Sequence, residues 1–175
     1  MIRDQESGIG NQKKLALWAL IATCWLPLAA WAADAAALFS TRLGGTQDKP
    51  ATLAAFRGQP LIVNFWARWC PPCRDELPEV KAIADKYRAQ GLTVIGIALE
   101  DDSANARDFL EAYEVDYPNF FAGSQRGMEL LKALGNDKAA LPYTLFVDRQ
   151  GAILGHKLGR ISRSELEAAA SALLK

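Results

Sequence analysis

The 175-residue chain is poor in the residues that build most metal and charge-relay sites. It has one histidine, two methionines and three cysteines. A structural zinc site needs four closely placed nitrogen or sulfur ligands, and beyond Cys24 near the front the chain has only Cys70, Cys73 and His156. Soft thiolates select Cu(I), yet no methionine or histidine lies near the paired cysteines in sequence, so a copper-holding module is a minor reading. His156 stands alone in a predicted strand, where a surface or half-buried role outweighs that of a base. Excess charge is also missing. Twenty basic and twenty acidic residues are intermixed, which gives no stripe for nucleic acid. No internal repeat or low-complexity tract appears beyond alanine richness at the two ends.

One long apolar run is present, at the front. Residues 1–14 are polar and end in Lys13-Lys14, and residues 15–26 are uncharged and apolar. Pro27 then breaks the run, and Ala30-Trp31-Ala32 offers small residues at both positions of a cleavage site. These are the three parts of a secretory signal peptide, so cleavage after Ala32 is expected, with a domain over 33–175. Residues 15–33 are also close to the roughly 20 residues that span a bilayer, so an uncleaved inner-membrane anchor stays open. A lipoprotein leader ending at Cys24 fits less well, because Thr23 is larger than the small residue such a site takes. Export puts the domain in the periplasm, either soluble or anchored. Loss of the leader removes Cys24 and leaves Cys70 and Cys73.

Those two cysteines organise the rest. The run Leu61-Ile62-Val63-Asn64-Phe65-Trp66 reads as a buried strand, and Trp69-Cys70-Pro71-Pro72-Cys73-Arg74 leads from it into an amphipathic helix. Cys70 then sits at a helix N-terminus, where unpaired N–H groups and the helix dipole favour a thiolate. Two cysteines three apart close a disulfide and exchange two electrons with another dithiol. A loop so short gives little entropic stabilisation, so the pair suits a redox switch better than a staple. Pro71 and Pro72 fit a helix start but withdraw two donors from the thiolate.

Further along, Leu77, Val80, Ile83, Ala84 and Tyr87 give one apolar helix face to about residue 89, with a kink expected at Pro78. A hairpin turning on Gly44-Gly45 precedes the first buried strand, with Pro50 marking an edge. A second buried strand covers 92–99, and Ser103 caps a helix to about residue 114. Residues 117–121 read as extended, and 124–134 as helical. A hairpin follows, with strands 144–147 and 152–158 around Asp148-Arg149-Gln150-Gly151. Ser162 to Glu165 is a capping box for a last helix with Leu166, Ala169, Leu173 and Leu174 inward. Glu100-Asp101-Asp102 reads as a solvated loop. Phe120-Phe121 is either packing or partner contact.

This order, with Asn64-Phe65-Trp66-Ala67-Arg68-Trp69-Cys70-Pro71-Pro72-Cys73 continued by Arg74-Asp75-Glu76-Leu77-Pro78, resembles the TlpA/ResA-like extracytoplasmic thioredoxins. The resemblance implies a thioredoxin-like three-layer α/β/α sandwich with a mixed central sheet. It also implies an N-terminal β-hairpin extension over 38–52 and a helical insertion over 104–121, before a cis-proline. By the same resemblance Pro142 is that cis-proline and faces the disulfide, and the backbone of Leu141 pairs with substrate. Trp69, Pro71, Pro72 and Leu141 are the candidate substrate contacts, while Trp66 reads as core. Glu76, three residues after Cys73, has two readings: a group that handles thiol protons, as the resemblance implies, or a solvated first-turn glutamate. Asn64 stands where cytoplasmic thioredoxin has a buried aspartate, and an amide has no proton to give.

The implied activity is a protein-disulfide reductase, with Cys70 attacking and Cys73 resolving and with no cofactor or metal besides the pair itself. Implied partners are protein dithiols or disulfides, such as apocytochrome c or a copper-site assembly protein, and a membrane thiol reductant of DsbD/CcdA type. A monomer is expected. Rival readings are a periplasmic oxidase or isomerase using the same pair, and a peroxiredoxin. The last sets Thr or Ser three before its cysteine, where this chain has Ala67.

Overall fold

The computed structural model describes residues 35–44 and 50–175, all of which belong to a compact unit spanning Trp31–Lys175. The leader expected over 1–32 lies outside the described residues. Among the described residues, no helix is long and apolar enough to cross a membrane.

The chain builds α1 (Ala36–Ser40), β1 (Arg42–Gly44), β2 (Pro50–Thr52) and a 3-10 turn (Leu53–Phe56). These are followed by β3 (Leu61–Trp66), α2 (Pro71–Arg88), β4 (Thr93–Ala98), α3 (Ala104–Ala112) and β5 (Asn119–Phe121). Last come α4 (Ser124–Ala133), β6 (Tyr143–Val147), β7 (Ile153–Leu158) and α5 (Arg163–Leu173). Among the described residues, one sheet holds the seven strands in the order β2-β1-β5-β4-β3-β6-β7. The β3–β4 and β4–β5 pairs are parallel, whereas β3–β6 and β6–β7 are antiparallel. This is the mixed sheet of a thioredoxin-like α/β sandwich.

Alternation along β3 divides the core. Leu61, Val63 and Phe65 face α1 and α4, packing with Leu38, Phe39, Leu130 and Leu131. Ile62 faces α2 and α5, packing with Val80, Ile83, Ala84, Leu166, Ala170 and Leu173. Every residue of β3 is buried, as expected of a strand covered on both faces. Each large aliphatic side chain removed from water there contributes about 1.5 to 3 kcal/mol.

Three details differ from the sequence reading. The hairpin at the front exists, but Gly44 pairs with Pro50 inside the ladder. The strands are therefore joined through residues 45–49, which lie outside the described set, rather than by a two-residue Gly-Gly turn. The segment before β1 is the short helix α1. On α5 the inner alanine is Ala170, fully buried, while Ala169 is half-buried; Leu174, just past the helix, packs against the same cluster as expected. A helix places residues three and four apart on one face, so Leu166, Ala170 and Leu173 form the stripe.

The insertion adds more than a helix. Its strand β5 pairs with β4 on one side and meets β1 at Gly44↔Phe121 on the other. The N-terminal hairpin thus joins the sheet through the insertion.

Candidate active site

β3 ends at Trp66, and a tight turn carries the chain into α2. The Cys70 N–H donates to the Ala67 carbonyl at 3.1 Å, and Cys70 is the N-cap residue of α2. Pro71 and Pro72 occupy the first two helical positions, where the missing N–H groups cost no intrahelical bond. The Cys73 and Arg74 N–H groups both donate to the Cys70 carbonyl, at 3.1 and 3.3 Å. Cys70 and Cys73 are joined as a disulfide with their Cα atoms 5.3 Å apart. Cys70 is 4% exposed and Cys73 is fully buried, so the first cysteine is the one solvent reaches.

Around the pair, Trp69 is 66% exposed, the most exposed large apolar side chain among the described residues. Trp66 is core, fully buried, with its indole Nε1 donating to Asn119 Oδ1 at 3.0 Å and its ring stacked on Phe109. The Leu141–Pro142 bond is cis. Half-buried Leu141 packs beside Cys70 and Cys73 with Ala67, Ala98 and Phe121. Phe121 is therefore packing; Phe120 lies half-buried, edge-on to Phe56. His156 is exposed, its ring against Tyr143.

Glu76 is not a solvated first-turn glutamate. It is fully buried one helical turn beyond Cys73. Its Oε1 accepts from Asn64 Nδ2 at 2.7 Å, and its Oε2 accepts from the Ile161 N–H at 2.9 Å. Burial pushes its pKa up from 4.5 to about 7, and the two hydrogen bonds and the Arg160 charge hold it back only partly. Asn64 Nδ2 also donates to Thr144 Oγ1 at 3.1 Å, while Asn64 Oδ1 is buried without a protein partner. Strand registers explain this placement: Asn119, Gly96, Asn64 and Thr144 lie side by side across β5, β4, β3 and β6. Asn64 and Thr144 are thus polar neighbours in the sheet under α2, and Gly96 separates them from Asn119.

The acidic run after β4 also differs from the sequence reading. Glu100 is only 9% exposed and binds the active-site turn. Its Oε1 accepts the Arg68 backbone N–H at 2.7 Å, and its Oε2 accepts Arg68 Nε at 2.6 Å. Asp102 is buried on one side and paired with Arg107 at 2.8 Å. Sequence reading missed the Glu100 contact, the Asn119 acceptor for Trp66 and the need for Gly96. Glu100's position at the C-terminal edge of a central strand was the available signal for the first.

The AhpC/TSA family profile matches residues 32–155. The thiol:disulfide interchange protein DsbE of Pseudomonas fluorescens biotype C is 35% identical over 131 residues, covering 73% of this chain and 69% of that protein. The chain is a TlpA/ResA-like member of the AhpC/TSA family. Thiol-disulfide oxidoreductase ResA of Bacillus thuringiensis subsp. konkukian is 26% identical over 121 residues, covering 69% of this chain and 67% of ResA. The crystal structure of a thioredoxin-family thiol:disulfide interchange protein from Chlorobium tepidum superposes with a TM-score of 0.64 at 25% identity. That match covers 77% of this chain and 95% of the other. This TlpA/ResA-like protein is a thiol–disulfide oxidoreductase with a thioredoxin-like fold.

Proposed function

We propose that the protein is an exported reductase of disulfides in specific protein partners, acting through Cys70 and Cys73. The observation that carries this reading is the disulfide at the N-terminus of α2, with one sulfur near the surface next to exposed Trp69 in the chain and the other fully buried, three residues before buried Glu76 on the same helix.

The cycle starts from the reduced pair. The Cys70 thiolate attacks one sulfur of the partner disulfide; a Cys70–partner S–S bond forms and the partner's other sulfur leaves as thiolate. The Cys73 proton passes toward the Glu76 carboxylate, whose pKa near 7 suits it to hold or return a proton at neutral pH. The Cys73 thiolate then attacks the Cys70 sulfur, which forms the Cys70–Cys73 disulfide and expels the second partner thiolate. Two electrons have passed to the partner. An external dithiol must restore the pair, and a membrane reductant of DsbD/CcdA type fills that role in the resemblance. The disulfide itself is the redox group, with no further cofactor.

Partner recognition is assigned to Trp69, Pro71, Pro72 and the backbone of Leu141 beside cis-Pro142. The buried neighbours of the pair favour this reading over a peroxidase, since Ala67 brings no hydroxyl to the turn. Candidate partners are apocytochrome c cysteines and copper-site assembly proteins. A monomer of the domain is sufficient for the cycle, and either form of the leader leaves that domain in the periplasm.

Equilibration against glutathione buffers tests the direction of electron flow. A reductase should fall nearer the roughly −270 mV of thioredoxin; a value nearer the roughly −120 mV of DsbA would instead establish an oxidase.

A further inference from the structure

We propose that Glu100 is a positioning residue for Cys70: by gripping Arg68 through both its backbone and its side chain, it fixes the redox turn and cancels a positive charge two residues before the reacting sulfur. The inference rests on the thiol–disulfide activity alone and is independent of partner and direction.

The geometry is specific to the pair. Ala67 to Cys70 forms a turn closed by Cys70 N–H to Ala67 O, and within it the Arg68 amide points to Glu100 Oε1 at 2.7 Å. The second carboxylate oxygen meets Arg68 Nε at 2.6 Å. Both acceptor oxygens of one side chain are therefore spent on one residue of the turn. Glu100 is itself anchored. The neighbouring Leu99 N–H donates to Trp66 O at 2.9 Å, and Gly123 N–H donates to Glu100 O at 3.2 Å.

Charge-assisted bonds of this kind are about twice as strong as neutral ones. A glutamine has one carbonyl oxygen for the amide and turns an NH2 toward the guanidinium. The carboxylate is thus the group that satisfies both donors.

Electrostatics follow from the same contact. The elements meeting at the pair carry Arg74, Asp75 and Glu76 on α2, Asp101 and Asp102 between β4 and α3, Arg107 on α3, and Arg160 before α5. Arg107 engages Asp102. Arg68 with Glu100 is the pair bonded into the turn that ends at Cys70. While the pair is intact, Arg68 and Glu100 together add no net charge to the turn. Removing one partner exposes the other.

The test uses the reduced full chain and the pH dependence of iodoacetamide alkylation, with the modified cysteine located by mass spectrometry. Glu100→Gln, which leaves Arg68 uncompensated, should lower the Cys70 pKa by about half to one unit, as a unit charge at several ångströms does in a partly screened site. Arg68→Ala, which leaves Glu100 uncompensated, should raise it by a similar amount. The double variant Glu100→Gln/Arg68→Ala should return it to within about 0.2 units of the parent value, well inside either single shift.

A merely structural contact predicts lower stability in the single variants with no opposite-signed thiol shifts. An unmoved Cys70 pKa in both folded single variants, shifts of the same sign, or a double variant that stays displaced would each overturn the proposal. If Glu100→Gln does not fold, Arg68→Ala decides, since that side chain is 37% exposed: a raised pKa upholds the proposal and an unmoved one ends it. Because no partner enters the assay, its failure and the failure of the reductase reading are separate results.

Discussion

Asn64 Nδ2 donates to Glu76 Oε1 at 2.7 Å, and this contact ties the central strand to the redox helix beneath the cysteine pair. The amide cannot titrate, so of these two side chains only the Glu76 carboxyl can carry a proton. Asn64 Oδ1 is free of protein partners, and Thr144 Oγ1 can act as donor or acceptor.

Glu76 should shape the pH dependence of stability. Its folded pKa, about 7, lies above the unfolded value of 4.5. The folded state binds the extra proton between these values, so this group's effect on stability worsens as pH rises from about 4.5 to 7 and then levels off. The full shift corresponds to at most about 3 kcal/mol. Urea midpoints at pH 5 and pH 8 should show this decline in the parent and a much smaller one in Glu76→Gln. In the reduced protein, Glu76→Gln should also simplify the titration of Cys73; an unmoved thiol titration would remove Glu76 from the proton path.

Asn64→Asp places a second buried carboxyl at hydrogen-bonding distance from the first. Two such groups cannot both ionise in a dry site, so one pKa climbs further. The variant should lose about 3 kcal/mol or more at pH 8 and recover part of it at pH 5. Chemical denaturation at the two pH values checks the sign.

Gly96 is confined by its neighbours rather than by its backbone. A Cβ there would lie 1.9 Å from Asn119 Oδ1 and 3.1 Å from Trp66 Nε1. Gly96→Ala must displace the acceptor of the Trp66 indole. A loss of about 1 to 3 kcal/mol is expected, with a changed near-ultraviolet circular dichroism signal from the buried tryptophan.

Trp69, by contrast, packs on little of its own domain. Trp69→Ala should leave stability within about 0.5 kcal/mol while raising KM severalfold for a protein disulfide and little for a small disulfide. Equal effects on both would count against a docking role.

What was legible in the sequence follows from range. The strand-turn-helix around Cys70, the capping box at Ser162 and the buried β3 are written in contiguous residues, and each formed where the pattern put it. Asn64 and Glu76 could be singled out one by one, but their hydrogen bond needs the face of α2 above β3 to be known. Glu100 meets Arg68 across 32 residues, and Trp66 meets Asn119 across 53. Such contacts depend on strand register, which no local pattern specifies. The acidic run Glu100-Asp101-Asp102 therefore read as solvated, although Glu100 turns inward to the redox turn. The placement of β5 between β4 and β1 was hidden for the same reason, because a three-residue strand carries almost no periodicity of its own.

The central claim is that Cys70 attacks partner disulfides and Cys73 releases them. Expression of Cys73→Ser in the native host, followed by non-reducing separation and mass spectrometry, tests it directly. The expected result is one or a few exported proteins joined to Cys70 by a disulfide, and none joined in Cys70→Ser/Cys73→Ser. A folded Cys73→Ser protein that carries no disulfide-linked partner would contradict it.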